Sequence, residues 1–385
     1  MYNFTFNIPT KIHFGKDTIS NLSELKAYGS KVLLVYGGGS IKKNGLYDTA
    51  MKILKDAGLT VFELSGVEPN PKIETVRKGV EICKNEGIDM VLAIGGGSTI
   101  DCSKVVAAGA KYDGDAWDLV LDGSKVKAAL PIFDVLTLSA TGTEMDPFAV
   151  ISDMSKNEKW GTGSPYMVPT MSILNPEYTF SVSKKQTAAG TADMMSHTME
   201  NYFSMENADC QKCMAEGLLR TMIKNGPAAL AQPDNYEARA NLMWAGTHAI
   251  NGVVGDGCSP AWCVHPMEHE LSAFYDITHG EGLAILTPAW MEHILNDDTL
   301  PMFVEFAKNV WGLSGDDDYA LAHAGIDALK KFFFETMGIP ANLRAVGITD
   351  DRNFEVMAKK ACEGSKGSFV PLSKDDIVEI YRAAF

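Results

Sequence analysis

The first 180 residues alternate between short apolar runs and amphipathic segments, and this alternation constrains the fold more than any other feature. Lys31–Tyr36 and Met90–Ile94 are strand-like, whereas Ile73–Gly87 has the period of a helix. Strands separated by helices of this length predict βαβ units around a mainly parallel sheet. Further along, strand-like runs nearly vanish and helical periodicity dominates. We therefore predict an α/β domain over residues 1–180 and an all-helical domain over residues 181–385.

Length, composition and charge narrow the class of protein. The chain has 385 residues, a net charge of −15 and 46% hydrophobic residues, which is typical of a globular protein with two domains. Such an acidic balance argues against a nucleic-acid partner. Apolar runs fall short of the roughly 20 residues of a membrane span, and the N-terminus does not resemble a secretory signal. We expect a cytoplasmic protein without a membrane partner.

The seven cysteines favour reduced thiols over a disulfide framework, because their number is odd and the chain is long. Cys210 and Cys213 have the spacing of a zinc-binding pair. A second such pair is missing from the sequence, so reduced, half-buried thiols are the favoured interpretation.

A strand–turn–helix unit with the turn sequence Gly-Gly-Gly-Ser occurs twice. The turns are Gly37, Gly38, Gly39 and Ser40, and Gly95, Gly96, Gly97 and Ser98. Glycine lets the backbone approach a phosphate closely, and the following helix presents free N–H groups and its positive dipole end. Neither turn is the usual G-x-G-x-x-G fingerprint. Two copies after buried strands nevertheless favour phosphate binding over simple tight turns, and the polar segment Thr137–Thr143 after a third strand is a candidate lining for the same ligand.

The first turn also bears on the choice between NAD and NADP. An NAD site usually places an acidic side chain on the 2′-hydroxyl of the ribose. Here the turn offers N–H donors and a hydroxyl, followed by Lys42 and Lys43. These groups suit a 2′-phosphate, so we predict that NADP(H) is preferred over NAD(H). The alternative is that both lysines are simply the solvated start of a helix.

The second half of the chain contains candidate metal ligands. Asp193 and His197 are four residues apart, so on a helix both project from one face. His265, His269 and His279 follow later in the chain. One carboxylate with three imidazoles suits Fe²⁺ or Zn²⁺ better than Ca²⁺ or Mg²⁺. His265 and His269 are themselves four residues apart, so spacing alone does not decide which of them is the ligand.

Four separated motifs together resemble the iron-containing (group III) alcohol dehydrogenase family, in its branch of NAD(P)H-dependent butanol dehydrogenases and broad-range aldehyde reductases. They are Tyr36–Gly45, Gly95–Asp101, Ala189–His197 and His265–His279. The likeness extends over nearly the whole chain. One departure is His269-Glu-Leu-Ser272, where many relatives have His-Pro-Leu-Gly; it is typical of the butanol dehydrogenase branch.

The resemblance implies a Rossmann-like dinucleotide-binding domain followed by a helical metal-binding domain, as in dehydroquinate synthase. The cofactor positions that it implies are both glycine turns together with Asp101, Thr137, Ser139, Thr141 and Lys159. The implied metal ligands are Asp193, His197, His265 and His279, with His269 facing the nicotinamide as the candidate catalytic residue. Glu200, three residues after His197, is expected to orient a neighbouring group. A homodimer is the family expectation.

The implied reaction is reversible hydride transfer between NAD(P)H and a short- to medium-chain aldehyde or primary alcohol, such as butanal and butanol. The divalent metal, Fe²⁺ or alternatively Zn²⁺, would act as a Lewis acid. Two alternatives are a non-redox lyase of the same fold that uses metal and NAD, and a nucleotide-binding module without catalysis. The first would need a basic pocket for an anionic substrate, and few lysines or arginines lie near the metal motifs.

Overall fold

The computed structural model describes residues 1–204, 208–259, 261–365 and 368–385. The chain divides into two units. The N-terminal unit is Asn7–Ser181, and the C-terminal unit combines Val182–Phe385 with the first six residues of the chain. The assignment of Met1–Phe6 to the C-terminal unit is a tertiary feature that the local sequence pattern does not indicate.

The N-terminal unit is built on a six-stranded parallel sheet. Its strands are β1 (Lys11–Phe14), β2 (Lys31–Tyr36), β3 (Thr60–Ser65), β4 (Met90–Gly95), β5 (Ile132–Leu136) and β8 (Met171–Leu174), in the spatial order β1-β8-β5-β4-β2-β3. β6 (Phe148–Asp153) and β7 (Glu158–Gly163) form a separate antiparallel hairpin. The parallel sheet with helices confirms the predicted Rossmann-like α/β architecture.

Helices cover both faces of the sheet, which explains why its central strands are apolar throughout. They are α1 (Ser40–Lys43), α2 (Leu46–Asp56), α3 (Ile73–Glu86), α4 (Gly97–Gly109) and α5 (Ala116–Leu121), with short 3-10 segments at Thr18–Ala27, Gly123–Lys125, Thr143–Met145, Pro165–Met167 and Pro176–Thr179. Leu33 and Val35 pack with α3 and α4, whereas Val32 and Leu34 pack with α2 on the other face. This alternation follows from the two-residue period of a strand.

The described part of the C-terminal unit is helical. Its helices are α6 (Lys184–Tyr202), α7 (Asp209–Ala231), α8 (Tyr236–His248), α9 (Val264–Tyr275), α10 (His279–Ile294), α11 (Leu300–Glu305), α12 (Asp318–Lys330), α13 (Phe354–Gly364) and α14 (Lys374–Ala383), with π-helical turns at Phe306–Val310 and Lys331–Thr336 and a 3-10 turn at Arg344–Val346. Every residue of α6 from Thr187 to Tyr202 is buried, so this helix is the centre of the unit. Within the described residues, none of the helices is long and apolar enough to cross a membrane.

Candidate metal and nucleotide sites

The first two candidate metal ligands lie on the buried helix α6. Ser183 caps its start, because the serine hydroxyl accepts a hydrogen bond from the backbone N–H of Gln186 at 3.2 Å. Asp193 and His197 follow on one face, and His197 Nε2 lies 3.6 Å from Asp193 Oδ1. The helical spacing predicted from the sequence therefore brings the two side chains together.

Two further imidazoles reach the same carboxylate oxygen. His265 is on the first turn of α9 and His279 is the first residue of α10, and their Nε2 atoms lie 3.9 and 3.7 Å from Asp193 Oδ1. Four ligands about 2.1 Å from a tetrahedral ion would be roughly 3.4 Å apart. The distances between these ligand atoms are therefore slightly longer than in a closed coordination shell. The carboxylate and the imidazoles are nevertheless suitable ligands for such an ion.

His269 occupies a different place from His265. It lies one turn further along α9, with its ring centroid 5.7 Å from that of His279 and 6.3 Å from that of His265. His265, by contrast, stacks on His197 with centroids 4.6 Å apart. Spacing along the sequence does not decide which of the two histidines is the metal ligand. The geometry favours His265 as the ligand and His269 as its neighbour.

Buried polar atoms at the centre of the cluster lack partners. Among the described residues, no hydrogen-bond partner reaches Asp193 Oδ1 or His265 Nε2. Buried polar atoms are nearly always satisfied, so unpaired ones call for an explanation such as a bound ion. Asp193, His197 and His265 also each offer a ligand atom within 4.8 Å of the others. The residues fit a divalent cation.

The electrostatics of the cluster are those of a cation site. Burial raises the pKa of Asp193, but the imidazoles, His197 first, outweigh burial and hold this pKa well below its ordinary value. Burial lowers the pKa of His197 to about 3. Burial also opposes charge on His265, yet Glu200 and Asp193 raise its pKa to about 9. Without metal, this carboxylate-rich cluster would thus hold a proton on His265, which a metal ion has to displace.

Two buried glutamates contact two of the candidate ligand histidines from the other side of the rings. Glu200 Oε1 lies 2.5 Å from His265 Nδ1, and the same carboxylate accepts the backbone N–H groups of Val264 at 3.2 Å and His265 at 2.9 Å. Glu200 therefore holds the ring of His265, a candidate ligand, and caps the start of α9 as well. Glu268 contacts His279 Nδ1 in the same manner. Nothing in the sequence pattern pointed to Glu268.

Two other residues near the cluster are not indicated by any sequence pattern. Trp262 is half-buried, with its ring 5.0 Å from that of His265, and has a left-handed backbone φ of 37°. This conformation is strained for a bulky side chain, and such strain concentrates at functional sites. Gly280 lies where α10 meets α6, and a Cβ there would be 2.0 Å from the carbonyl oxygen of Ala189. Glycine is required next to His279 because the two helices touch.

The glycine turns of the N-terminal unit meet at one edge of the sheet. β2, β4 and β5 are parallel neighbours, so Gly37–Ser40, Gly96–Ser98 and Thr137–Thr141 all follow the carboxyl ends of adjacent strands. The chain runs from β2 outward to β3 and then returns to β4 on the other side of β2. Ligands of open α/β sheets bind outside the carboxyl ends of the strands at such a switch point.

The second turn and the third segment pack against each other. A Cβ on Gly97 would lie 2.5 Å from Thr141 Oγ1, and the N–H of Thr137 donates to the carbonyl of Gly95 at 2.9 Å. Thr137, Ser139 and Thr141 are each only partly buried. These predicted cofactor residues are therefore assembled around the second turn.

Asp101 and Lys159 have buried positions. The carboxylate of Asp101 accepts hydrogen bonds from Thr143 Oγ1 at 2.7 Å and from the N–H of Val150 at 2.9 Å. These bonds tie α4 to the loop and strand that follow β5. Lys159 lies on β7 with 4% of its surface exposed. Asp101 thus organises the third segment internally, and a direct cofactor contact by either residue stays a prediction.

A fully buried ion pair also fastens this region. Lys104 has no exposed surface, and its Nζ donates to Asp146 Oδ1 and to the carbonyl oxygens of Asp146 and Phe148, each at 2.8 Å. Lys104 lies on α4, immediately after the second glycine turn. The pair therefore links the turn helix to the segment entering β6.

Lys42 belongs to a cluster beside the first turn. The hydroxyls of Tyr36 and Tyr47 donate to Glu63 at 2.6 and 2.7 Å. Lys42 Nζ lies over both tyrosine rings, at 4.9 and 4.4 Å from their centroids, and 3.8 Å from Glu63. The Tyr36 hydrogen bond, first among several causes, lowers the pKa of Glu63 and so keeps it ionised. The ammonium group has a carboxylate partner and two aromatic faces.

Two family models match the chain. One, described as iron-containing alcohol dehydrogenase, covers residues 9–176, and the other, the C-terminal model of the Fe-containing alcohol dehydrogenase family, covers residues 187–385. This chain belongs to the iron-containing alcohol dehydrogenase family. The metal cluster and the glycine turns lie in the parts that the two models match.

Relatives of this alcohol dehydrogenase are similar over nearly all of their length. The NADH-dependent butanol dehydrogenase A of Clostridium acetobutylicum is 56% identical, with all of both chains covered. The NADPH-dependent aldehyde reductase YqhD of Escherichia coli is 39% identical over 94% of this chain and 93% of its own. The crystal structure of NADH-dependent butanol dehydrogenase A from Thermotoga maritima is 41% identical, with a TM-score of 0.95 over 100% of this chain and 99% of that one. This chain is accordingly an NAD(P)-dependent alcohol dehydrogenase or aldehyde reductase, and neither the lyase nor the non-catalytic alternative is supported.

Proposed function

We propose that this alcohol dehydrogenase interconverts short- to medium-chain aldehydes and primary alcohols, butanal and butanol among them. Asp193, His197, His265 and His279 hold the divalent cation. The observation that carries this proposal is the convergence of three imidazole Nε2 atoms on one oxygen of Asp193. Relatives that are butanol dehydrogenases support the substrate class. The ligand set accepts both Fe²⁺ and Zn²⁺, and the family favours Fe²⁺.

The residues of the chain have separate tasks in this reaction. When bound, the cation supplies Lewis-acid stabilisation and the nicotinamide supplies the hydride. The buried carboxylate of Asp193 and the three imidazoles retain the cation and keep water from surrounding it on all sides. His269, half-buried and next to the ligand cluster, is the proposed proton donor to the oxygen of the substrate.

The nucleotide is proposed to bind at the carboxyl edge of the sheet. Gly38 supports this assignment, because a Cβ there would meet nothing within 4 Å and its φ lies outside the left-handed range. The fold itself does not require glycine at this position, whereas close approach of a phosphate does. A cavity of about 430 Å³, lined by residues that include Gly45, Thr49 and Tyr178, lies beside the start of α2 and is a candidate for the adenosine end.

The structure argues for NAD(H) over the NADP(H) predicted from Lys42 and Lys43. Lys42 is engaged by Glu63, and a 2′-phosphate near this turn would meet the carboxylate as well as the lysine. The NADH-dependent relative is also more similar than the NADPH-dependent one, at 56% against 39% identity. We therefore propose that NAD(H) is preferred and that Glu63 is the discriminating residue.

Glu63→Gln tests the proposed cofactor preference. Loss of the negative charge should lower the KM for NADPH about tenfold, equivalent to about 1.4 kcal/mol, and leave the KM for NADH nearly unchanged. Glu81→Gln, at an exposed position on α3, is the matched control. A wild-type enzyme with a lower KM for NADPH than for NADH would restore the original prediction.

A homodimer is proposed on the basis of the first six residues. Tyr2, Phe4 and Phe6 alternate with polar residues and are 62, 50 and 48% exposed. The N–H of Tyr2 donates to the carbonyl of Gly257 at 2.8 Å, which holds this segment on the C-terminal unit. An exposed segment with alternating apolar side chains suits contact with a second copy. Light scattering should give twice the chain mass, and a triple change of the three aromatics to Ser should give a monomer.

An activity assay tests the proposed function directly. Purified protein supplied with Fe²⁺ or Zn²⁺ should oxidise NADH in the presence of butanal, with the rate followed at the absorbance band of the reduced nicotinamide. A panel of aldehydes of increasing length then measures the substrate range. No oxidation with either metal and either cofactor would refute the proposal.

The cytoplasmic location stays a prediction, which cell fractionation tests.

A further inference from the structure

Each of two ligand histidines is held between Asp193 and a buried glutamate. His265 and His279 direct their Nε2 atoms towards Asp193, at 3.9 and 3.7 Å. Their Nδ1 atoms contact Glu200 and Glu268. Glu200 is 1% exposed and Glu268 is fully buried, so water does not compete for these contacts. The two imidazoles are thus fixed from both ends of the ring.

We propose that Glu268, together with Glu200, is a positioning residue that sets how tightly the enzyme holds its cation. This inference rests on the proposed metal site. A carboxylate that accepts the Nδ1–H of an imidazole selects the tautomer whose Nε2 lone pair is free for the metal. It also makes the imidazole a stronger donor and removes the cost of orienting the ring upon binding.

Glu268 is the more informative of the two residues. Glu200 also accepts two backbone N–H groups at the start of α9, so its removal would disturb the helix itself. Glu268 contacts two side chains: His279 Nδ1 lies against one of its carboxylate oxygens, and the hydroxyl of Ser272 donates to the other. Ser272 lies one turn further along α9 and is 1% exposed. A Ser272–Glu268–His279 chain, buried at Ser272 and Glu268, therefore ends at the proposed metal ligand.

The histidines of the cluster are not equivalent. In the part of the chain that the structure describes, His197 Nδ1 is buried without a hydrogen-bond partner, whereas the Nδ1 atoms of His265 and His279 face carboxylates. His197 is instead fixed by its place on α6 and by stacking on His265. Removal of a backing carboxylate should therefore affect His265 or His279 and leave the Asp193–His197 pair intact.

Glu268→Gln tests the inference, because glutamine keeps the size of the side chain and loses its charge. The dissociation constants for Zn²⁺ and Fe²⁺ are measured by chelator competition and should rise about 10- to 100-fold. The visible absorption of the Co²⁺-loaded protein should also shift, since it reports the ligand field, which a change in general stability would not move. Glu270→Gln is the matched control: Glu270 lies on the same helix, is 4% exposed and pairs with Lys360 at 3.8 Å. It should bind both metals like the wild type.

Circular dichroism of the metal-free variants shows whether they fold. If Glu268→Gln does not, Ser272→Ala removes only the hydroxyl donor to Glu268 and should weaken metal binding by a smaller factor. Wild-type affinity and an unchanged Co²⁺ spectrum in a folded Glu268→Gln protein, or in Ser272→Ala where that variant is needed, would overturn the inference. A wild-type protein that binds none of the three metals would instead refute the proposed metal site.

Discussion

Replacing His265 and His269 one at a time by Ala tests the proposal that His265 is the metal ligand and His269 its neighbour. His265 Nε2 lies 3.9 Å from Asp193 Oδ1, so His265→Ala removes one of four converging donors and leaves the Glu200 carboxylate without its imidazole partner. His269 is one turn away, with its ring 5.7 Å from that of His279. His269→Ala should leave the donors intact.

The expected difference follows from linkage between metal binding and folding. A cation at a hundred times its dissociation constant stabilises the folded state by about 2.7 kcal/mol. For a unit of roughly 200 residues, each kcal/mol raises Tm by about 2–4 °C, so wild type should gain about 5–11 °C. If His265→Ala weakens binding about a hundredfold, the same concentration supplies only about 0.4 kcal/mol, or about 1–2 °C.

The assay is thermal unfolding followed by circular dichroism, with and without added Zn²⁺ or Fe²⁺ and with a chelator as the baseline. His269→Ala should show the full wild-type shift in Tm while losing most of kcat. His265→Ala should lose the shift. The reverse pattern would exchange the roles of the two histidines, and equal loss in both variants would refute the argument from ring positions.

Three further perturbations test other parts of the structure. Lys104→Met leaves the buried carboxylate of Asp146 unpaired and should cost about 3–5 kcal/mol in urea unfolding. Burial, opposed by Lys104, raises the pKa of Asp101 to about 6. The carboxyl group of Asp101 therefore holds its proton more tightly in the folded protein than in the unfolded chain. As pH rises from about 4 to about 6, the contribution of Asp101 to the free energy of unfolding falls by about 3 kcal/mol in all. Asp101→Asn should abolish this dependence in urea unfolding curves recorded across that range. Gly280→Ala forces a Cβ against the backbone of Ala189, so it should cost about 1–3 kcal/mol and lower the metal content.

A control variant or a contradicting outcome accompanies each of these three predictions. Lys52→Met removes an exposed pair with Asp56 and should change stability by less than about 0.5 kcal/mol. A similarly small change in the free energy of unfolding for Lys104→Met would show that the buried ion pair is not needed for stability. A difference between wild type and Asp101→Asn that is independent of pH would contradict the raised pKa. Full metal content in Gly280→Ala would show that α10 can shift without moving His279.

The features that the sequence predicts correctly depend on local pattern. The alternation of apolar and amphipathic segments indicates the parallel sheet, because strands and helices differ in period within a single window. The four-residue spacing of Asp193 and His197 likewise indicates one helix face, and the structure has both on α6. The two glycine turns follow their strands directly, so their place at the carboxyl edge follows from a parallel sheet alone.

The features that the sequence leaves open depend on packing between distant segments. Glu63 is 27 residues from Tyr36, and only the pairing of β2 with β3 brings its carboxylate beside Lys42. From the sequence alone, a lysine near a glycine turn suggests a phosphate ligand, because its carboxylate partner is visible only in the folded structure. Glu268 likewise has no spacing that marks it, since it acts only after α9 and α10 fold back on each other.

The choice between His265 and His269 as the metal ligand likewise depends on tertiary structure. On an isolated helix the two are equivalent, because residues four apart share a face. The equivalence is broken by Glu200, whose carboxylate binds both the N–H and the ring of His265 and so fixes that histidine, at the start of α9, against α6. His269 lies one turn beyond the reach of this cap. The proposed assignment of His265 to the metal and of His269 to proton transfer therefore depends on position relative to a helix start, which is set by a glutamate 65 residues before His265.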